Sequence, residues 1–229
     1  MATYVLVHGA WGGGYAYRDI ADRLRAHGHA VFVAHLTGLG EREHLASPGI
    51  TLSTHIADVT AIIDCEMLDD VILIGHSYGG MVISGVAGAR AAAIRTLVYL
   101  DAFLPQDGQA LWDLADATTR TFYIDAQRDT PGLVQPTFAA ATTGPRRLTG
   151  HPLLTLLEPV RLGADAADIP NRTYIYATVG TPTIFTQFYD RVRTDPRWQV
   201  HEIATGHVVM AEDPDGLTQL LLAEAARGA

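Results

Sequence analysis

The chain reads as an α/β fold, a mostly parallel, doubly wound sheet with helices on both faces and a helical cap inserted over one end. Three observations predict it. Short β-branched runs alternate with amphipathic segments through most of the 229 residues. The run "DVILIG" at 70–75 is apolar without interruption, as expected of a strand covered on both faces. Between about 105 and 170 the alternation lapses into broken helical pieces and prolines.

Taken in order, "TYVLVH" (3–8) is a strand, and "YRDIADRLRAHG" (17–28) an amphipathic helix ended by Gly28. "AVFVAH" (30–35) is the next strand. The segment 54–68 is a helix with Ile56, Val59, Ile62 and Ile63 on one face. "DVILIG" follows, then a small-residue helix from Gly80 to Ala92 and the strand "RTLVYLD" (95–101). The pieces "ALWDLADAT" and "PLLTLLEPV" belong to the cap, an insertion within one domain spanning 1–229. The alternation resumes with "RTYIYAT" (172–178), a helix near 183–194, "WQVHEIA" (198–204) and a leucine-rich helix begun by Asp213-Pro214.

Composition narrows the function. Hydrophobic residues make up 48% and charged residues 18%, a globular balance. A formal charge of −9 with no basic cluster beyond pairs such as Arg146-Arg147 argues against nucleic acid. The single cysteine, Cys65, has no Cys/His ligand spacing around it and reads as a small apolar helix residue. No run reaches the ~18 apolar residues of a membrane span, and the N-terminus lacks a basic leader. Asn171-Arg172-Thr173 matches a glycosylation acceptor, which has no meaning without secretion. The expectation is a cytoplasmic protein with no membrane partner, as a monomer or a homodimer.

The chemistry concentrates in "VILIGHSYGGM" (71–81). A buried strand must turn sharply into a helix here, and ligands of such sheets meet the carboxyl ends of the strands. Gly75 and Gly79 leave room for the two backbones to approach, which gives the G-x-S-x-G nucleophile elbow around Ser77. The plain alternative is a structural turn serine. A serine hydroxyl needs a base and an oxyanion site. Among ten histidines, His27, His29 and His44 fall on surface or loop, and His201 lies inside a strand. His207, in "ATGHVVM" between the last strand and the last helix, opens onto the same edge as Ser77 and is the candidate base. The oxyanion donors are the backbone N–H groups of Tyr78 and, in "HGAWGGG", Ala10. That glycine-rich loop carries neither G-x-G-x-x-G nor G-K-[ST], so it is not a phosphate loop.

"VLVHGAWGGG", "ILIGHSYGGM" and the Gly-His before the last helix resemble the α/β-hydrolase superfamily, and within it the small methyl-esterase and hydroxynitrile-lyase group that includes plant methyl salicylate esterases. The resemblance covers essentially the whole chain, strongly in the N-terminal half and weakly across the cap. It implies serine esterase chemistry without a metal or organic cofactor. In that group the triad acid follows the strand matching "TYIYAT", where this chain has Thr178-Val179-Gly180-Thr181-Pro182 and no carboxylate. Asp101, ending the strand beside the nucleophile strand, is the candidate replacement; the alternatives are an aspartate that caps a turn or holds the "DAFLPQDG" loop, and a plain Ser–His dyad or an acid from elsewhere. Asp190 lies too far into the next helix. The lyases carry a threonine and a lysine where this chain has Gly9 and Val208, so cyanohydrin cleavage is disfavoured. Trp11, Phe103, Leu104, Trp112, Phe122 and Phe138 are candidates for an aromatic-lined pocket taking a small or medium apolar ester or lactone; each could equally be core. The rival readings are a ligand-binding protein, and a lyase, decarboxylase or cyclase using the same pocket.

Overall fold

The computed structural model of the protein describes residues 1–137 and 148–227. Six parallel strands form the sheet: β1 (Thr3–Val7), β2 (Ala30–Val33), β3 (Val71–His76), β4 (Ile94–Leu100), β7 (Asn171–Ala177) and β8 (Gln199–Ile203). Their order is β2-β1-β3-β4-β7-β8. The chain runs from β1 outward to β2, then crosses to the other side of β1 for β3. The crevice of such a sheet opens where the order reverses, here between β1 and β3.

The uninterrupted apolar runs are explained by two cores. Tyr4, Leu6, Ile72, Ile74, Val98, Leu100 and Ile175 face one layer, with Ile20 and Leu24 of α1 (Arg18–Ala26) and Leu217 and Leu221 of α9 (Pro214–Ala226). The alternate residues Val5, Val7, Val71, Leu73, Tyr99 and Tyr174 face the other, with Val59 and Ile63 of α2 (Leu52–Cys65) and Val82 and Val86 of α3 (Gly79–Arg90). Period-2 alternation thus buries both faces of every central strand.

Helix boundaries follow local chemistry. Gly28, at φ 81°, carries the chain out of α1 in the left-handed region. The Asp213 carboxylate accepts from Gly216 N at 2.8 Å, with Pro214 in the first turn of α9. Helix α2 starts at Leu52, two residues before the expected position, which adds Leu52 to its buried face; His55, within the expected span, is buried there too. The helix ends at Cys65, which is exposed; the expectation of a buried small apolar residue is corrected because the helix end at 64–67 is exposed throughout.

Between β4 and β7 the chain leaves the sheet. The described parts are α4 (Leu111–Leu114), α5 (Ala117–Asp125), the antiparallel pair β5 (Leu133–Val134) and β6 (His151–Pro152), and α6 (Leu154–Leu157). After β7 come α7 (Thr186–Val192), β8, and the short α8 (Val209–Glu212) before α9.

Candidate active site

The site is assembled by strand register. Val7 pairs with Gly75, His76 with Leu100, and Leu100 with Ile175, so the residues after β1, β3 and β4 emerge side by side at the carboxyl edge. Ser77 follows β3 and Asp101 follows β4. Both are held at positive φ, 56° and 41°, a strained conformation for residues with side chains. The strain at Ser77 is maintained by close backbone packing. A Cβ on Gly75 would lie 2.5 Å from Gly79 O, and one on Gly79 would lie 2.7 Å from Val7 O. Ser77 N donates to Leu100 O at 3.3 Å, while Ser77 O accepts from Gly80 N and Phe103 N. The hydroxyl therefore sits at the start of α3 on a turn locked from both sides.

His207 lies in the loop between β8 and α8. Its Nδ1 donates to Asp101 Oδ2 at 2.6 Å, and the Asp101 side chain is only 2% exposed. Because the carboxylate can only accept, this bond puts the imidazole proton on Nδ1 and leaves Nε2 as a lone-pair base. Asp101 Oδ1 also accepts from Ala177 N at 3.3 Å, which fixes the carboxylate's rotation. Gly206 N, donating to Glu212 Oε2 at 2.6 Å, anchors the loop from below. The face of the imidazole stacks on Phe185, ring centres 4.6 Å apart and 11° from parallel.

The loop after β1 supplies the opposite wall. Among the described residues, the backbone N–H groups of Ala10 and Tyr78 have no acceptor, leaving both available to a bound oxygen. Glu41 shapes this loop by accepting from Gly14 N and Tyr15 N at 3.1 and 2.8 Å. A Cβ on Gly9 would be 3.0 Å from Ser77 Cβ and from His76 Nδ1, so the place of the lyases' threonine is here closely packed.

The pocket candidates divide. Trp11 donates from Nε1 to Val134 O and packs edge-on against Phe122 at 5.9 Å, and Phe122 continues to Tyr123. Phe103 meets Phe185, and through it the ring of His207. Leu104 instead lines a separate hollow of about 350 Å³ with Ser84, Tyr99 and Arg191, because Arg191 holds the Leu104 carbonyl and turns the loop that way. Trp112 lies under the Arg120 guanidinium, 5.6 Å from its ring centre. Phe138 falls outside the described residues.

Sequence reasoning missed a group of buried histidines around this edge. His8, His55, His76 and His151 are each under 10% exposed. His55 Nε2 donates to Thr37 O and its Nδ1 accepts from the Tyr78 hydroxyl at 2.8 Å, tying down the side chain next to Ser77. Burial pushes all four below the ordinary histidine range, His8 to about 4. Neutral in the folded chain, they bind protons more readily once it unfolds. Their contribution to stability is full above about 6.5 and is lost as pH falls, for His8 through about 4. His8 alone then costs on the order of 3 kcal/mol by pH 4. We expect the thermal midpoint to drop steeply between pH 6.5 and 4.5; a flat midpoint over that window would contradict the assignment.

Residues 4–220 match the profile of the alpha/beta hydrolase family. The chain belongs to that family. It is 41% identical over 97% of its length to a carbendazim hydrolyzing esterase of Nocardioides, of which it covers 99%. It is 28% identical to salicylic acid-binding protein 2 of Nicotiana tabacum, covering 68% of this chain and 62% of that one. Among solved structures, an extracellular alpha/beta-hydrolase from a Paenibacillus species superposes with TM-score 0.83 at 22% identity, covering 97% of this chain and 98% of that one. With these relatives the chain takes its place among the carboxylic ester hydrolases. No helix among the described residues is long and apolar enough to cross a membrane.

Proposed function

We propose that the protein cleaves small or medium apolar esters or lactones through an acyl-enzyme on Ser77, with His207 as general base and Asp101 as its orienting acid. The observation that carries this reading is the 2.6 Å bond from His207 Nδ1 to buried Asp101, on the sheet edge that holds Ser77 at positive φ. Ser77 Oγ attacks the carbonyl carbon while His207 Nε2 takes its proton. The developing oxyanion accepts from Ala10 N–H and Tyr78 N–H. The tetrahedral intermediate collapses, and His207 returns the proton to the departing alkoxide. Water then repeats the sequence on the acyl-enzyme, releasing the acid and restoring Ser77.

In this reading residues 105–170 cap the edge, and Trp11, Phe103 and Phe122 contribute its apolar surface. The protein is taken as cytoplasmic. The acid comes from β4 because the loop after β7 offers none, and the Asp101–His207 distance supports that substitution. The name of the 41% identical relative adds carbendazim to the substrates worth trying.

Purified protein tested on p-nitrophenyl acetate and butyrate, methyl esters, lactones and carbendazim checks the proposal. We expect stoichiometric release of acid and alcohol from at least one apolar ester, or of the ring-opened hydroxy acid from a lactone. Tight binding of such compounds without hydrolysis would instead favour a ligand-binding role.

A further inference from the structure

We propose that His76 is a positioning residue for the reaction, holding the His207 loop and imidazole in register with the neighbouring Ser77. The inference rests on the reading of His207 as the base. His76 Nε2 lies 2.8 Å from the His207 carbonyl oxygen. A carbonyl only accepts, so His76 carries its proton on Nε2 and donates it there. The two rings also lie close together, centres 4.5 Å apart and tilted 33° from parallel. The His207 ring is thus in contact with both Phe185 and His76.

Chain position makes this contact more than packing. His76 is the last residue of β3 and directly precedes Ser77, so one rigid strand end sets both the nucleophile and the hold on its base. The surroundings are fitted to that ring. Gly9 leaves the space beside His76 Nδ1 that a side chain would fill at 3.0 Å. Burial, and then the proximity of His207, keep His76 well below the ordinary histidine range. It therefore stays neutral beside the imidazolium that forms during turnover and does not repel it.

Glutamine places its amide N–H at the reach of Nε2, whereas asparagine stops at the reach of Nδ1. We expect H76L and H76N to lower kcat by ~10- to 100-fold, the scale of a misplaced catalytic group, with little change in KM. H76Q should recover most of the lost rate. Thermal unfolding of the polar pair H76Q and H76N, which should be alike, separates orientation from folding even if H76L folds poorly. If S77A is inactive while H76N and H76L turn over like the unsubstituted protein, or if H76Q is as slow as H76N, this inference is overturned and the hydrolase reading stands. Ester turnover that survives S77A would overturn both.

Discussion

Ser77→Ala is expected to fold normally and to lower kcat/KM for a p-nitrophenyl ester by at least ~10⁴-fold, the scale seen when an acyl-transfer nucleophile is removed. Ser77 is 8% exposed and no described residue hydrogen-bonds its hydroxyl, so losing it breaks no bond of the fold. Alanine also has no Cγ or Oγ to crowd the turn at φ 56°. The residual rate would come from the two backbone N–H groups and the pocket. Steady-state kinetics beside a thermal melt checks both halves of the expectation. A variant that is stable and fully active would remove the nucleophile from the account.

The second large effect belongs to Asp101. In Asp101→Asn the amide oxygen should stay on Ala177 N–H, which Oδ1 accepts from now. That orientation turns the amide NH₂ toward His207 Nδ1. The imidazole must then accept at Nδ1 and carry its proton on Nε2, the wrong nitrogen for taking a proton from Ser77. A loss of ~10³- to 10⁴-fold in kcat is expected, as in serine proteases whose orienting aspartate is amidated. Asp190, in α7, pairs with Arg193 at 3.0 Å, and Asp190→Asn should leave kcat unchanged. Equal activity of the two variants would rule out Asp101 as the acid.

The contrast between these aspartates shows what the sequence discloses. Strands such as "VILIGH" announce themselves because burial on both faces demands unbroken apolar runs, and the parallel sheet follows from their alternation with helices. Ser77 is legible for a local reason, since the glycines that permit its turn lie within two residues. Asp101 is legible only by elimination, once 178–182 proves empty of carboxylates. Its bond to His207 joins residues 106 apart and depends on the register of β3, β4 and β7.

Other partners leave no local mark. Phe185 reads as an ordinary apolar helix residue, yet at the start of α7 its ring stacks on that of His207. His151 lies in the segment between β4 and β7, and only the fold brings it to 4.7 Å from the ring of Tyr78. His76 lies inside the same motif as Ser77, but its hydrogen bond goes to a carbonyl 131 residues away. Cys65 shows the opposite limit: a general habit of burial does not say which turn of a helix is exposed.

The central claim is that Ser77 Oγ becomes covalently acylated during turnover. Incubation with a fluorophosphonate, followed by proteolysis and mass spectrometry, tests it most directly. The account predicts one adduct per chain, on the peptide bearing Ser77, appearing as esterase activity disappears. An active protein that remains unlabelled, or is inactivated by labelling at another residue, would contradict it.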